Sequence, residues 1–128
     1  MRTARLRAAG LSKQKVIYLR ALSAFFRETQ FDPAAVKSMG DEEVVATLTA
    51  IKGIGTWTAE MFLIFALNRP DVFPGGDLAL QKAIGRCYGI EGRPEADVLE
   101  RITSRWSPYR TIGSWYLWHD ADTVTLER

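Results

Sequence analysis

Apolar residues recur along this chain at intervals of three and four, with no sustained alternation, and polar caps and helix breakers separate the runs. Ser12 heads the first run as an N-cap, and Val16, Leu19, Leu22 and Phe26 follow as a stripe at helical spacing. Asp32, Pro33 and Gly40 punctuate the next as cap, first helical residue and terminator. A helix over 41–51 opens on three acids, which suits its dipole, and buries Val44, Val45, Leu48 and Ile51. The segment 56–68 is apolar on nearly every side, as expected of a central helix enclosed by others. A loop, "RPDVFPGG", leads to a helix headed by Asp77; "PEADVLERITSRW" and "SPYRTIGSWYLWH" follow, the latter with Ser107 as cap and Pro108 in its first turn. The pattern predicts an all-α fold, an irregular bundle of about seven short helices, with 1–128 as a single domain.

Composition changes this picture little. At 128 residues the chain can bury one core. No apolar run reaches the roughly 18 residues of a membrane span. The basic start, "MRTARLRAAG", has no apolar stretch behind it and does not read as a signal peptide. One cysteine, Cys87, and one histidine, His119, leave no internal disulfide and argue against a zinc site built by this chain. An intracellular, cytoplasmic protein with no membrane segment is the expectation. Net charge is only +2, but residues 1–30 carry seven Lys or Arg against one acid, Glu28. Such an end suits a polyanion, and equally a solvated helix face.

Two stretches carry candidate chemistry. "IKGIGTWTAEMFL" breaks a helix at 52–55 and restarts it at once, a helix–hairpin–helix. Glycine there permits positive φ and a close approach of backbone to a ligand. The free amides and dipole of the second helix suit a phosphate, while Ile54 pins the bend to the core. The plainer reading is a tight αα-turn. In "VFPGGDLALQKAI", Asp77 follows two glycines and opens a helix. It reads as an N-cap, a role compatible with a carboxylate facing a ligand that the glycines admit.

Through "LRAAGLSKQKVIYLRALS", "LTAIKGIGTWTAEMFL", "RPDVFPGGDLALQKAI" and "WSPYRTIGSWYLWH" the sequence resembles, over nearly its whole length, the helix–hairpin–helix DNA glycosylases of base-excision repair, in particular the 3-methyladenine DNA glycosylase II branch. The resemblance implies an enzyme that hydrolyses the N-glycosidic bond of alkylated purines, with Asp77 as its catalytic carboxylate. Trp57 occupies the place where bifunctional relatives carry a Schiff-base lysine, which implies a monofunctional hydrolase; Trp57 would stack on the extruded base, its other reading being a core tryptophan. Lys52, Gly53, Ile54, Gly55, Thr56 and Thr58 would hold the DNA backbone, and Met61, Trp106 and Tyr109 would line the base pocket. Trp115, Tyr116 and Trp118 are assigned to packing, Arg110 to pairing with a carboxylate, and His119 to a capping or surface position. The resemblance also implies a Na+ or K+ ion on the main-chain carbonyls of Thr49, Ile51 and Ile54, and no required cofactor. The iron–sulfur cluster of some relatives needs four cysteines, which this chain lacks. The implied partner is double-stranded DNA with a damaged base.

The family's domain is longer, and the expectation is that this chain starts after N-terminal helices, with a "GQQ"-like stretch, that form the other wall of the base cleft. Three readings follow: a truncated lobe with little or no catalysis, a lobe completed by a second chain or by homodimerisation, or a non-catalytic helix–hairpin–helix module that binds DNA.

Overall fold

The computed structural model describes residues 2–29 and 31–126. Among them are eight α-helices, one 3-10 turn and no strand, which makes the fold all-α. None of these helices is long and apolar enough to cross a membrane. The chain divides into two compact units, Met1–Ala59 and Glu60–Arg128.

The first unit holds α1 (Thr3–Ala8), α2 (Lys13–Glu28), α3 (Pro33–Val36), α4 (Asp41–Thr49) and the opening turn of α5 (Thr56–Phe65). Helix α1 is the one the apolar pattern does not predict: it buries no residue, rests on α2, and stops where Gly10 adopts φ +90°. Local capping matches expectation. The Ser12 hydroxyl accepts from Lys15 N at 3.2 Å, and the Asp32 carboxylate from Ala34 N at 2.9 Å. The predicted stripe on α2 is less buried than its spacing implies, because only Val16 is covered while Leu19 and Phe26 are exposed. Phe26 instead packs edge-on to Phe25 and Phe31. Gly40 does not terminate α3, which ends at Val36; it stands in extended backbone as the N-cap of α4. Helix α4 ends at Thr49, two residues early. Val44 and Ile51 are buried, Val45 and Leu48 half-buried.

The second unit continues α5 and adds α6 (Leu78–Tyr88), α7 (Ala96–Thr103), the 3-10 turn Ser104–Trp106 and α8 (Arg110–Leu126). Its core joins Leu80, Ala83 and Ile84 of α6 to Leu99 of α7 and Leu117 of α8, with Phe73, Trp106 and Trp118 packed around them. Helix α5 stops at Phe65 rather than residue 68: Leu67 N reaches back to Phe62 O, Asn68 takes φ 53°, and Pro70 follows. Nor is α5 enclosed, since Trp57, Phe62 and Phe65 are exposed. The assignment of Trp115 and Tyr116 to packing also fails; both are exposed, and only Trp118 is half-buried, stacked on Phe65 at 6.0 Å.

The start of α8 departs most from the sequence pattern. The helix begins at Arg110, not Ser107, and its cap comes from another segment. The Asp71 carboxylate accepts from Arg110 N at 3.1 Å and Arg110 Nε at 2.9 Å, while Ser107 donates its hydroxyl to the same carboxylate at 2.7 Å. Thr111 donates to Arg69 O and accepts from Val72 N, and Ser114 donates to Val72 O. These bonds tie residues 69–72 to the first turn of α8. Gly113 is small because the Trp106 ring lies over it: a Cβ there would sit 2.5 Å from Trp106 Cε3.

Two groups make stability depend on pH. The Arg110 side-chain hydrogen bond holds the Asp71 carboxyl below its ordinary 3.8. The unfolded chain therefore binds the proton first, and this contribution is present above pH 3.8 and lost as pH falls from there. Asp71→Asn should lower stability at neutral pH by about 1–3 kcal/mol and flatten the acid limb of a urea-unfolding series; equal midpoints for both proteins at pH 7 would mean the strap contributes nothing. Burial pushes Glu60 up from 4.5 to about 7. The native chain then holds a proton that the unfolded chain releases, so stability falls as pH rises from 4.5 to about 7. Glu60→Gln should remove that decline, and a Tm that still drops across the window would assign it to another group.

Candidate functional site

The hairpin is built in the first unit. Past the end of α4, Ile51 N donates to Leu48 O and Ile54 N to Ile51 O, each at 3.1 Å, which closes the chain into a tight turn. Gly53 sits at φ +95°, a conformation that favours glycine, and the Tyr18 ring of α2 lies against the face where a Cβ would stand. Gly55 needs no positive φ, and the space where its Cβ would stand is open. Ala59 N donates to Gly55 O at 3.1 Å, so α5 starts immediately after Gly55. Lys52, Thr56 and Thr58 are exposed and Ile54 is half-buried. Trp57 is 50% exposed, so it is not a core residue.

Asp77 belongs to the second unit. Its N–H donates to Pro74 O at 2.9 Å, closing the turn through Gly75 and Gly76. One carboxylate oxygen accepts from Leu80 N at 3.0 Å, which makes Asp77 the N-cap of α6. Gln81 is buried one turn on and donates Nε2 to Gly75 O at 2.6 Å, fixing the loop from below. A Cβ on Gly75 or Gly76 would meet nothing within 4 Å. The glycines leave an open approach beside a carboxylate whose rotamer is set by its capping bond.

The remaining candidates separate. Trp106 is half-buried and packs edge-on to Phe73 at 6.0 Å and over Gly113, a support beneath the loop that carries Asp77. Tyr109 is exposed, Met61 is half-buried on α5, and His119 is exposed on α8. Arg110 does pair with a carboxylate, that of Asp71. Two features escaped the sequence reading. Glu60 is a half-buried acid whose signal was in plain view, a lone carboxyl within the apolar "AEMFLIF". The Phe65–Trp118 stack joins α5 to α8 and had no local signal.

Residues 1–108 match the model of the HhH-GPD superfamily base excision DNA repair protein. The alkylbase DNA glycosidase-like protein mag2 of Schizosaccharomyces pombe is 35% identical over 115 residues, 88% of this chain and 54% of that protein. The crystal structure of DNA-3-methyladenine glycosidase from Bacillus halodurans superposes with a TM-score of 0.88 at 37% identity, covering 99% of this chain and 58% of the other. The Schizosaccharomyces pombe 3-methyladenine DNA glycosylase in complex with abasic DNA gives a TM-score of 0.76 at 32% identity, over 92% and 58% of the two chains. The chain thus spans about half the length of the curated relatives it matches. A glycine hairpin opening one helix, a carboxylate capping another and a family match over 108 residues together place this chain in the HhH-GPD superfamily of base-excision DNA repair proteins.

Proposed function

We propose that this chain is the hairpin- and carboxylate-bearing part of a monofunctional DNA glycosylase that hydrolyses the N-glycosidic bond of alkylated purines in duplex DNA. The observation that carries the reading is the Asp77 carboxylate, held by Leu80 N behind the open Gly75–Gly76 turn, in a chain that resembles DNA-3-methyladenine glycosidases. An N3-alkylated purine is cationic, so when the glycosidic bond breaks the electron pair returns to the ring and the base leaves neutral. It needs little help from a general acid. The sugar left behind becomes oxocarbenium-like and is captured at C1′ by water, and an anion beside it lowers that barrier. At ~4 Å and an effective dielectric near 20 the attraction is about 4 kcal/mol, roughly three powers of ten in rate.

In this reading the hairpin grips the DNA backbone through Lys52, Gly53, Ile54, Gly55, Thr56 and Thr58, contacts that position a duplex without reading its sequence. Trp57, exposed in the first turn of α5, is an electron-rich face for a cationic base. Without a lysine at that place the sugar is not attacked covalently, and the product is an abasic site. The carbonyls of Thr49, Ile51 and Ile54, at the negative end of the α4 dipole, suit a Na+ or K+ ion. Such an ion would offset charge at the hairpin when bound. DNA as substrate locates the activity inside the cell.

Asp77→Asn should reduce release of methylated bases from alkylated duplex about 10³-fold while duplex affinity and the unfolding midpoint stay near parental. Parental rates from the Asn variant would remove Asp77 from the mechanism; binding without any release by the parent would reduce the chain to a DNA-binding module. Trp57→Ala should cost about 0.5–2 kcal/mol of preference for methylated over unmodified bases, a factor of about 2 to 30, measured as the ratio of their release rates. An unchanged ratio would return Trp57 to the role of an exposed spectator.

A further inference from the structure

We propose that Lys15, on α2, is a second phosphate-binding residue of the hairpin and holds the same DNA strand as Lys52. The inference rests on DNA being the ligand of the hairpin. A groove of about 270 Å³ runs between α2 and the bend, with Lys15, Tyr18 and Leu22 on one side and Lys52, Gly53 and Ile54 on the other. The two sides cannot slide past each other, because the Tyr18 ring is packed against Gly53 with no room for a methyl group. Lys15 is anchored at the first turn of α2, where its N–H is bound by Ser12 Oγ. Both lysines are exposed.

Charge and polarity select the occupant. Among the described residues no acid lines the groove, and its floor is aliphatic and aromatic. The sole acid among residues 1–30 is Glu28, thirteen residues beyond Lys15, which is about 20 Å along a helix axis and outside one Debye length at physiological salt. The side chains of the floor are apolar apart from the Tyr18 hydroxyl, so the charged groups in the groove that can meet an anion are the two lysine ammonium heads on their alkyl stems. A strand of DNA has the matching pattern, with phosphates for the rim and apolar deoxyribose faces for the floor. The bland alternative is that Lys15 merely shields the floor and leaves its head in water.

Counting released counterions separates the two. Binding of the 128-residue chain to an undamaged duplex is followed by fluorescence anisotropy across a salt series. Each lost phosphate contact makes the slope of log K against log salt shallower by about 0.9. Lys15→Gln and Lys52→Gln should each do so, and the double variant should lose about 1.8. Lys15→Arg, which keeps the charge, should retain the parental slope. Lys13→Gln, on the same helix but outside the groove, should move it far less. A Lys15→Gln slope equal to that of the parent while Lys52→Gln becomes shallower would overturn the proposal and leave the hairpin reading standing. Equal losses from Lys13→Gln and Lys15→Gln would overturn it too, because the effect would then be diffuse charge. A parent that binds no duplex would overturn both. Methylated-base release, run alongside with the Asp77→Asn variant, reports on the proposed activity without reference to either lysine.

Discussion

The second unit depends on a helix cap that comes from 39 residues away. Helix α8 has no side chain of its own at the right place to satisfy its first amide, and the Asp71 carboxylate takes that role while also binding the Arg110 guanidinium and the Ser107 hydroxyl. A charge-assisted bond of this kind is worth more than a neutral one, and losing one partner strands the other. The loop from Arg69 to Gly76 has no ladder or helix to absorb its backbone groups. Buried backbone must find partners, and the hydroxyls of Thr111 and Ser114 supply them. The loop is therefore held as firmly as the helix it rests on.

That firmness is what the proposed one-carboxylate site requires. Asp77 comes five residues after Val72, whose backbone is bound to α8. Phe73 is fixed by Trp106, and Gly75 is fixed by Gln81. A Cβ on Gly75 or Gly76 would meet nothing within 4 Å, so these supports leave the turn itself uncrowded. Electrostatic stabilisation of a developing cation costs no reorganisation only if the anion is already in place, and the capping bond to Leu80 N sets the carboxylate rotamer before any ligand arrives.

In the proposed function the first unit has a different task, presenting backbone rather than a side chain. The Tyr18 ring packed against Gly53 braces the bend, which the proposed contact with a DNA backbone requires. The same contact explains why the glycines of "GIG" are not equivalent. Gly53 is required by its φ of +95° and by the aromatic ring, whereas a Cβ at Gly55 would meet nothing within 4 Å. Of the exposed apolar residues of α2, Leu19 lines the groove beside the bend.

Features that act within one turn of chain were legible in the sequence: the caps Ser12, Asp32 and Asp77, the break at 52–55, and the all-α character. A cap or a glycine bend is decided by residues at most four positions apart, and periodicity reports these directly. The tertiary structure decided whatever needed a distant partner. Ser107 looks like a cap for α8 because its neighbours are suitable, yet its hydroxyl is drawn to Asp71. The stripe on α2 and the aromatics Trp115 and Tyr116 sit at spacings that fit burial, but spacing identifies a face and not what covers it. Trp57 could be core or surface on its sequence, and the fold exposes it. Local hydrogen bonding is written in the chain; long-range pairing and burial arise only when segments tens of residues apart meet.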